Sequence, residues 1–154
     1  MNRRQRMLGG FLLLAILSAV SAWLALQWRY PYGRSHCCIK SMLLALNLYA
    51  QEHQGRFPAG QPSPEASLSL LYKAKLIDAD VLRGKTAKEE EVRALLDRGE
   101  LLGPKSCGWH YVEGLNQSDD GRLALLWDKA GLGHYGERHR RAWREVLLVD
   151  GDIK

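Results

Sequence analysis

The sequence predicts an α+β chain in which an N-terminal transmembrane helix leads through a hinge to an amphipathic helix packed on a small antiparallel sheet. Three observations predict it: an uncharged apolar run at residues 7–28, apolar residues at three- and four-residue spacing over 39–50, and short alternating segments separated by turn signals after residue 107. With 154 residues, 46% hydrophobic and 25% charged, the chain can build one core and has no room for two sizeable ones. Its 5 prolines and 15 glycines exclude a collagen-like or low-complexity chain, and no internal repeat suggests a solenoid.

Residues 1–6 read as a basic cytoplasmic tail, 7–28 as a transmembrane signal anchor, 29–36 as a hinge and 37–154 as an exported domain. As a helix, the anchor covers about 33 Å at 1.5 Å per residue, enough for a hydrocarbon core. Arg3, Arg4 and Arg6 precede it and no acid occurs before Glu52, so the positive-inside rule keeps the N-terminus cytoplasmic and exports the rest. Trp23, Trp28, Tyr30 and Tyr32 gather at the far end, where amphipathic rings favour the headgroup layer. The competing reading is a cleaved secretory signal with Val20-Ser21-Ala22 as its small-residue site. The apolar run continues through Trp23-Leu24-Ala25-Leu26, which favours the uncleaved anchor.

The formal charge of +5 includes the three cytoplasmic arginines; beyond residue 28 the count is 19 basic against 17 acidic. That balance leaves no nucleic-acid footprint, so the expected partners are the lipid bilayer and other membrane or envelope proteins. The local exception is Arg138, Arg140, Arg141 and Arg144 with His134 and His139. These residues form either a solvated loop or a contact patch for an acidic partner or lipid headgroups.

Pro31 and Gly33 interrupt the helix signal, and Ser35 can cap a second helix. Ile39, Met42, Leu43, Leu46, Tyr49 and Ala50 form its buried stripe, while Leu44 and Leu48 point off that stripe and are assigned to a partner or neighbouring subunit. Gly55 stops the helix, residues 57–64 read as loop, and a short helix is expected around 68–72. Thr86-Ala87-Lys88-Glu89 has the pattern of a capping box, followed by Val92, Leu95 and Leu96 on one face and Gly99 as the stop. Residues 108–112, 122–127 and 146–149 read as strands, with turns at 116–121 and Asp150-Gly151.

Leu48-Tyr49 at the end of an aliphatic helix, then Gly55-Arg56-Phe57-Pro58, resembles the end of the long helix of type II secretion pseudopilins and related pilin-like proteins. Leu126-Trp127-Asp128-Lys129-Ala130-Gly131 and Val146-Leu147-Leu148-Val149-Asp150-Gly151 are similar to their C-terminal strands, with His139 where such proteins often place a His. The resemblance spans about residue 37 to the end. It implies a pilin-like fold and a non-enzymatic component of a secretion or pilus-type assembly in the bacterial inner membrane, with the C-terminal domain periplasmic. At the N-terminus Gly10-Phe11 matches the pilin-type leader, but Ala15 stands where those leaders place a Glu, and no Ser or Thr follows the Phe. The alternative is therefore an accessory subunit that uses the same fold as a protein-binding module in another envelope complex.

Export places Cys37, Cys38 and Cys107 on the oxidising side, where a disulfide from Cys107 to one of the adjacent pair is expected. Cys38 is taken as the partner and Cys37 is the alternative. The loop of about 70 residues corresponds to about 4 kcal/mol by chain entropy. A zinc site from His36, Cys37 or Cys38, Cys107 and His110 lacks a second clustered pair. Asp119, Asp120, Asp150 and Asp152 are the calcium candidates, but their spacing forms no ligand ladder. No nucleophile elbow, phosphate loop or zinc-protease motif occurs, and His139 with Asp128 and a serine is an arbitrary triple. The expectation is no enzyme, no metal and no cofactor.

Overall fold

The computed structural model describes residues 3–31, 39–133, 135–138 and 144–154. Among the described residues five helices precede three strands: α1 (Arg3–Arg29), α2 (Ile39–Glu52), α3 (Pro64–Lys73), α4 (Ala79–Arg83), α5 (Glu89–Asp97), β1 (Trp109–Tyr111), β2 (Ala124–Asp128) and β3 (Val146–Leu148). The strands form one antiparallel meander in chain order, so the α+β reading holds. The 27 residues of α1 extend about 40 Å. The segment from Gly9 to Arg29 is long and apolar enough to cross a membrane, and it is exposed along its whole length. Within it the Ser18 hydroxyl donates to the Ala15 carbonyl at 2.8 Å, three residues back along the same helix. Tyr30 N still donates to Leu26 O at 2.8 Å, and Pro31 follows; most of the expected hinge lies outside the described residues.

The inner face of α2 is Ile39, Met42, Ala45, Leu46, Tyr49 and Ala50, close to the expected stripe, with Leu43 half-buried at its edge. Burying a side chain such as Leu46 or Met42 contributes about 1.5–3 kcal/mol. The end of α2 differs from expectation by one residue. Gln54 takes the left-handed conformation (φ 59°) ahead of Gly55 (φ 82°), and Gly55 N reaches back to Ala50 O at 2.8 Å, closing a Schellman turn. The chain then pairs with a later turn, Phe57 N to Leu115 O and Gln117 N to Gly55 O, and Phe57 enters the core before Pro58.

The region read as loop up to residue 64 already begins α3. The Ser63 hydroxyl oxygen accepts from Ala66 N at 3.1 Å, and Pro64 occupies the first helical turn, where its missing donor costs nothing. The capping box is corrected. α5 starts at Glu89 after Lys88, with no side-chain cap, and the Thr86 hydroxyl instead donates to Arg83 O at the end of α4, a helix absent from the sequence reading. Asp78 before and Gly84 after this five-residue segment were its available signals.

α2 to α5 and the three strands share one core of Met42, Leu46 and Phe57 with Leu68, Leu71, Leu82, Val92, Leu96, Trp109, Leu125, Leu126 and Leu147. α2 packs beside α3, α3 beside β1, and α4 beside α5, so the short helices complete the layer that α2 was expected to provide. A bulge between Ala124 and Leu126 turns both Leu125 and Leu126 inward, which strict alternation forbids. After β3 the chain reverses at Gly151 (φ 89°) and Lys154 pairs back with Val146, its N–H and carbonyl exchanging bonds of 3.0 and 2.7 Å.

Candidate functional site

On the outer face of α2, Leu44 is 62% exposed and Leu48 38%, and their four-residue spacing stacks them on one stripe. Asn47 accepts a hydrogen bond from Gln117 Nε2 at 3.2 Å, and Leu43 lies over Gly151, so the stripe is bordered by two turns of the sheet end. Both leucines are where the sequence reading placed them, off the core stripe.

A second surface lies where α1 ends. Leu132 and Arg138 bridge an antiparallel loop, Gly133 N donates to Glu137 O at 2.8 Å, and Gly136 N to Gly133 O at 2.8 Å. Arg138 N donates to Arg29 O at 2.9 Å, the Arg29 guanidinium donates back to the Arg138 carbonyl, and the Arg138 guanidinium carbon stands 5.9 Å from the Trp28 ring centroid. Arg138 is thus engaged by the end of the chain's own apolar helix. Arg144 is exposed and passes beside Gly131. Arg140 and Arg141 lie outside the described residues, as do His134 and His139.

The base of this loop is held from inside. Lys85, 4% exposed, donates from Nζ to Gly133 O at 2.7 Å, Leu132 O at 3.2 Å and Asp128 Oδ2 at 3.3 Å, and Asp128 Oδ1 accepts from Ala130 N at 2.7 Å. Lys129 pairs with Glu65 at 2.8 Å and holds that carboxyl below its ordinary range. On the other side of the core, Glu113 Oε1 accepts from Ser67 Oγ and Gly60 N, and the Tyr111 hydroxyl donates to Pro58 O at 2.7 Å. These are ties between loops and the core. Sequence reasoning missed Lys85, since a lone lysine after a short helix carries no spacing signal.

His110 stacks across the sheet on Trp127 with centroids 5.4 Å apart. Burial, then the positive charges of Lys129 and Arg144, lower its pKa from the ordinary value. Cys107 carries a buried free thiol whose sulfur reaches Trp109 O at 3.7 Å; burial pushes its pKa up to about 11. Cys37 and Cys38 lie outside the described residues, while Ile39, the residue after Cys38, belongs to the same core as Cys107.

Among the described residues no three His, Cys, Asp or Glu side chains gather as a metal site. Asp119 accepts from Asn116 N, Asp120 pairs with Arg122, and Asp150 accepts from Asp152 N, so three calcium candidates serve their own turns. Asp128, considered for a hydrolytic triple, is paired with Lys85.

Comparison of the chain with protein-family models, with characterised proteins and with solved structures finds no match.

Proposed function

We propose that the chain is a non-enzymatic, single-pass membrane component with its N-terminus in the cytoplasm and an exported pilin-like domain, working by assembly with other envelope proteins in a secretion or pilus-type system. The observation that carries this reading is α1, apolar and exposed from Gly9 to Arg29, for which a bilayer is the natural surrounding. The exposed Leu44 and Leu48 support an assembly face on α2, next to a core that α2 shares with the sheet. A second reading, an accessory subunit in another envelope complex, is favoured by Ala15 in place of an acidic residue and by the end of α1 at Arg29, ahead of Pro31.

A reporter fused after Lys154 should be exported while the chain stays in the membrane fraction. Mass spectrometry finding an N-terminus at Trp23 would overturn the anchor. For the assembly face, Leu44→Ser and Leu48→Ser should change stability by only about 0.5 kcal/mol and weaken recovery of the membrane complex, whereas Leu46→Ala should cost about 2–5 kcal/mol. Unfolding by Leu44→Ser to the same degree as Leu46→Ala would make both faces core and remove the proposed surface.

A further inference from the structure

We propose that the outer face of α2 docks antiparallel on the same face of a second copy of this chain. The inference rests on the reading of Leu44 and Leu48 as an assembly face and names the partner. The exposed residues of α2 are Lys40, Ser41, Leu44, Leu48, Gln51 and Glu52. They are symmetric about position 46: in an antiparallel pair centred there, Lys40 meets Glu52 of the second copy, Ser41 meets its Gln51 and Leu44 meets its Leu48. Each pairing is chemically matched, a cation with an anion, a hydroxyl with an amide and leucine with leucine. An isologous twofold contact requires such self-complementarity, whereas a foreign helix would impose no relation between the two ends of α2.

Lys40 and Glu52 are the only charged residues of α2, and among the described residues neither forms an ion pair. Both oppose their own helix dipole, the lysine standing in the first turn and the glutamate in the last. In the antiparallel pair each faces the helix end and the side chain of opposite sign. Lys40, Leu44, Leu48 and Glu52 also lie on one four-residue ridge about 18 Å long, and two such ridges interlock when helices cross at about 50°. A single helix face of that length buries less than the about 1,200 Å² of a stable interface, so the pairing depends on α1 holding both copies in one bilayer at high effective concentration. Both anchors enter that bilayer from one side when the twofold axis is the membrane normal.

The test uses the full chain fused after Lys154 to a donor or an acceptor fluorescent protein and reconstituted in lipid vesicles, with energy transfer followed as chain density rises. Lys40→Glu and Glu52→Lys should each raise the density for half-maximal transfer about tenfold, since each reverses two pairs per dimer. Each also agrees with the helix dipole, so an undiminished melting temperature separates lost pairing from lost folding. A mixture of the two variants should regain wild-type transfer, because every cation in it again meets an anion, and so should the double variant Lys40→Glu/Glu52→Lys. Reversals without effect, or a mixture no better than either variant alone, overturn the antiparallel pair. A wild-type chain that shows no transfer at any density, while Leu44→Ser still costs the membrane complex, overturns self-pairing and leaves the assembly face to another envelope protein. Leu44→Ser that alters neither transfer nor complex overturns both.

Discussion

Gly84 and Gly108 cross with their backbones in contact: a Cβ on Gly84 (φ 58°) would stand 2.8 Å from Gly108 Cα, and one on Gly108 would stand 2.7 Å from the Arg83 carbonyl carbon. Gly108 N donates to Leu82 O at 3.0 Å, and the Trp109 indole donates to Val81 O at 2.7 Å, so this crossing docks α4 on the first residues of β1. The obstacles are backbone atoms, which cannot swing aside as a flexible side chain can. Gly108→Ala should therefore destabilise the chain by at least about 2 kcal/mol. Urea unfolding followed by tryptophan fluorescence measures it, and a loss below half that value would show that the two segments can separate cheaply.

The buried Lys85–Asp128 pair predicts an asymmetry between single and double replacement. Lys85→Met leaves a buried carboxylate and two carbonyls without their donor, and Asp128→Leu leaves a buried ammonium, each costing about 3–5 kcal/mol. Replacing both should cost clearly less than the two losses added together. A double-mutant cycle by chemical denaturation checks this, and additive losses would mean that the two groups act separately.

For His110 the sign follows from its lowered pKa. The unfolded chain takes up a proton near the ordinary value of 6.5, and the folded chain does so only at lower pH. Stability from this group is thus fully present above 6.5 and is lost as pH falls through the lower, folded value. The melting temperature should decline between about pH 7.5 and pH 5.5, and His110→Gln should flatten that decline. An unchanged slope in the variant would assign the acid sensitivity to other groups.

In its reduced form the Cys107 thiol should resist alkylation at pH 8 in the folded chain, because a pKa of about 11 leaves only about one thiolate in a thousand. Denaturant should expose it to full labelling. In chain isolated from membranes without reductant, peptide mapping should link Cys107 to Cys38 or Cys37. Three free thiols in that map would overturn the bridge.

Much of the architecture was legible before any coordinates. An uncharged run at 7–28, the spacing of Met42, Leu46 and Tyr49, and the alternation around Trp109, Trp127 and Leu147 reflect local periodicity, and a side chain's place on a helix or strand follows from periodicity alone. Leu44 and Leu48 fell outside α2's core stripe for the same reason. Tertiary structure decided what depends on residues far apart in sequence. Thr86 matched a capping box, yet its hydroxyl serves α4, because the segment before α5 is held by the Gly84–Gly108 crossing. Lys85 reads as a surface lysine until the carbonyls of Leu132 and Gly133 and the carboxylate of Asp128 surround it. Arg138 reads as part of a basic run, and only the folded chain sets it on Trp28 and the last turn of α1. Such partners are chosen by loop closure over dozens of residues, and a hydrogen-bond donor's own sequence neighbourhood carries no record of which distant acceptor it will meet.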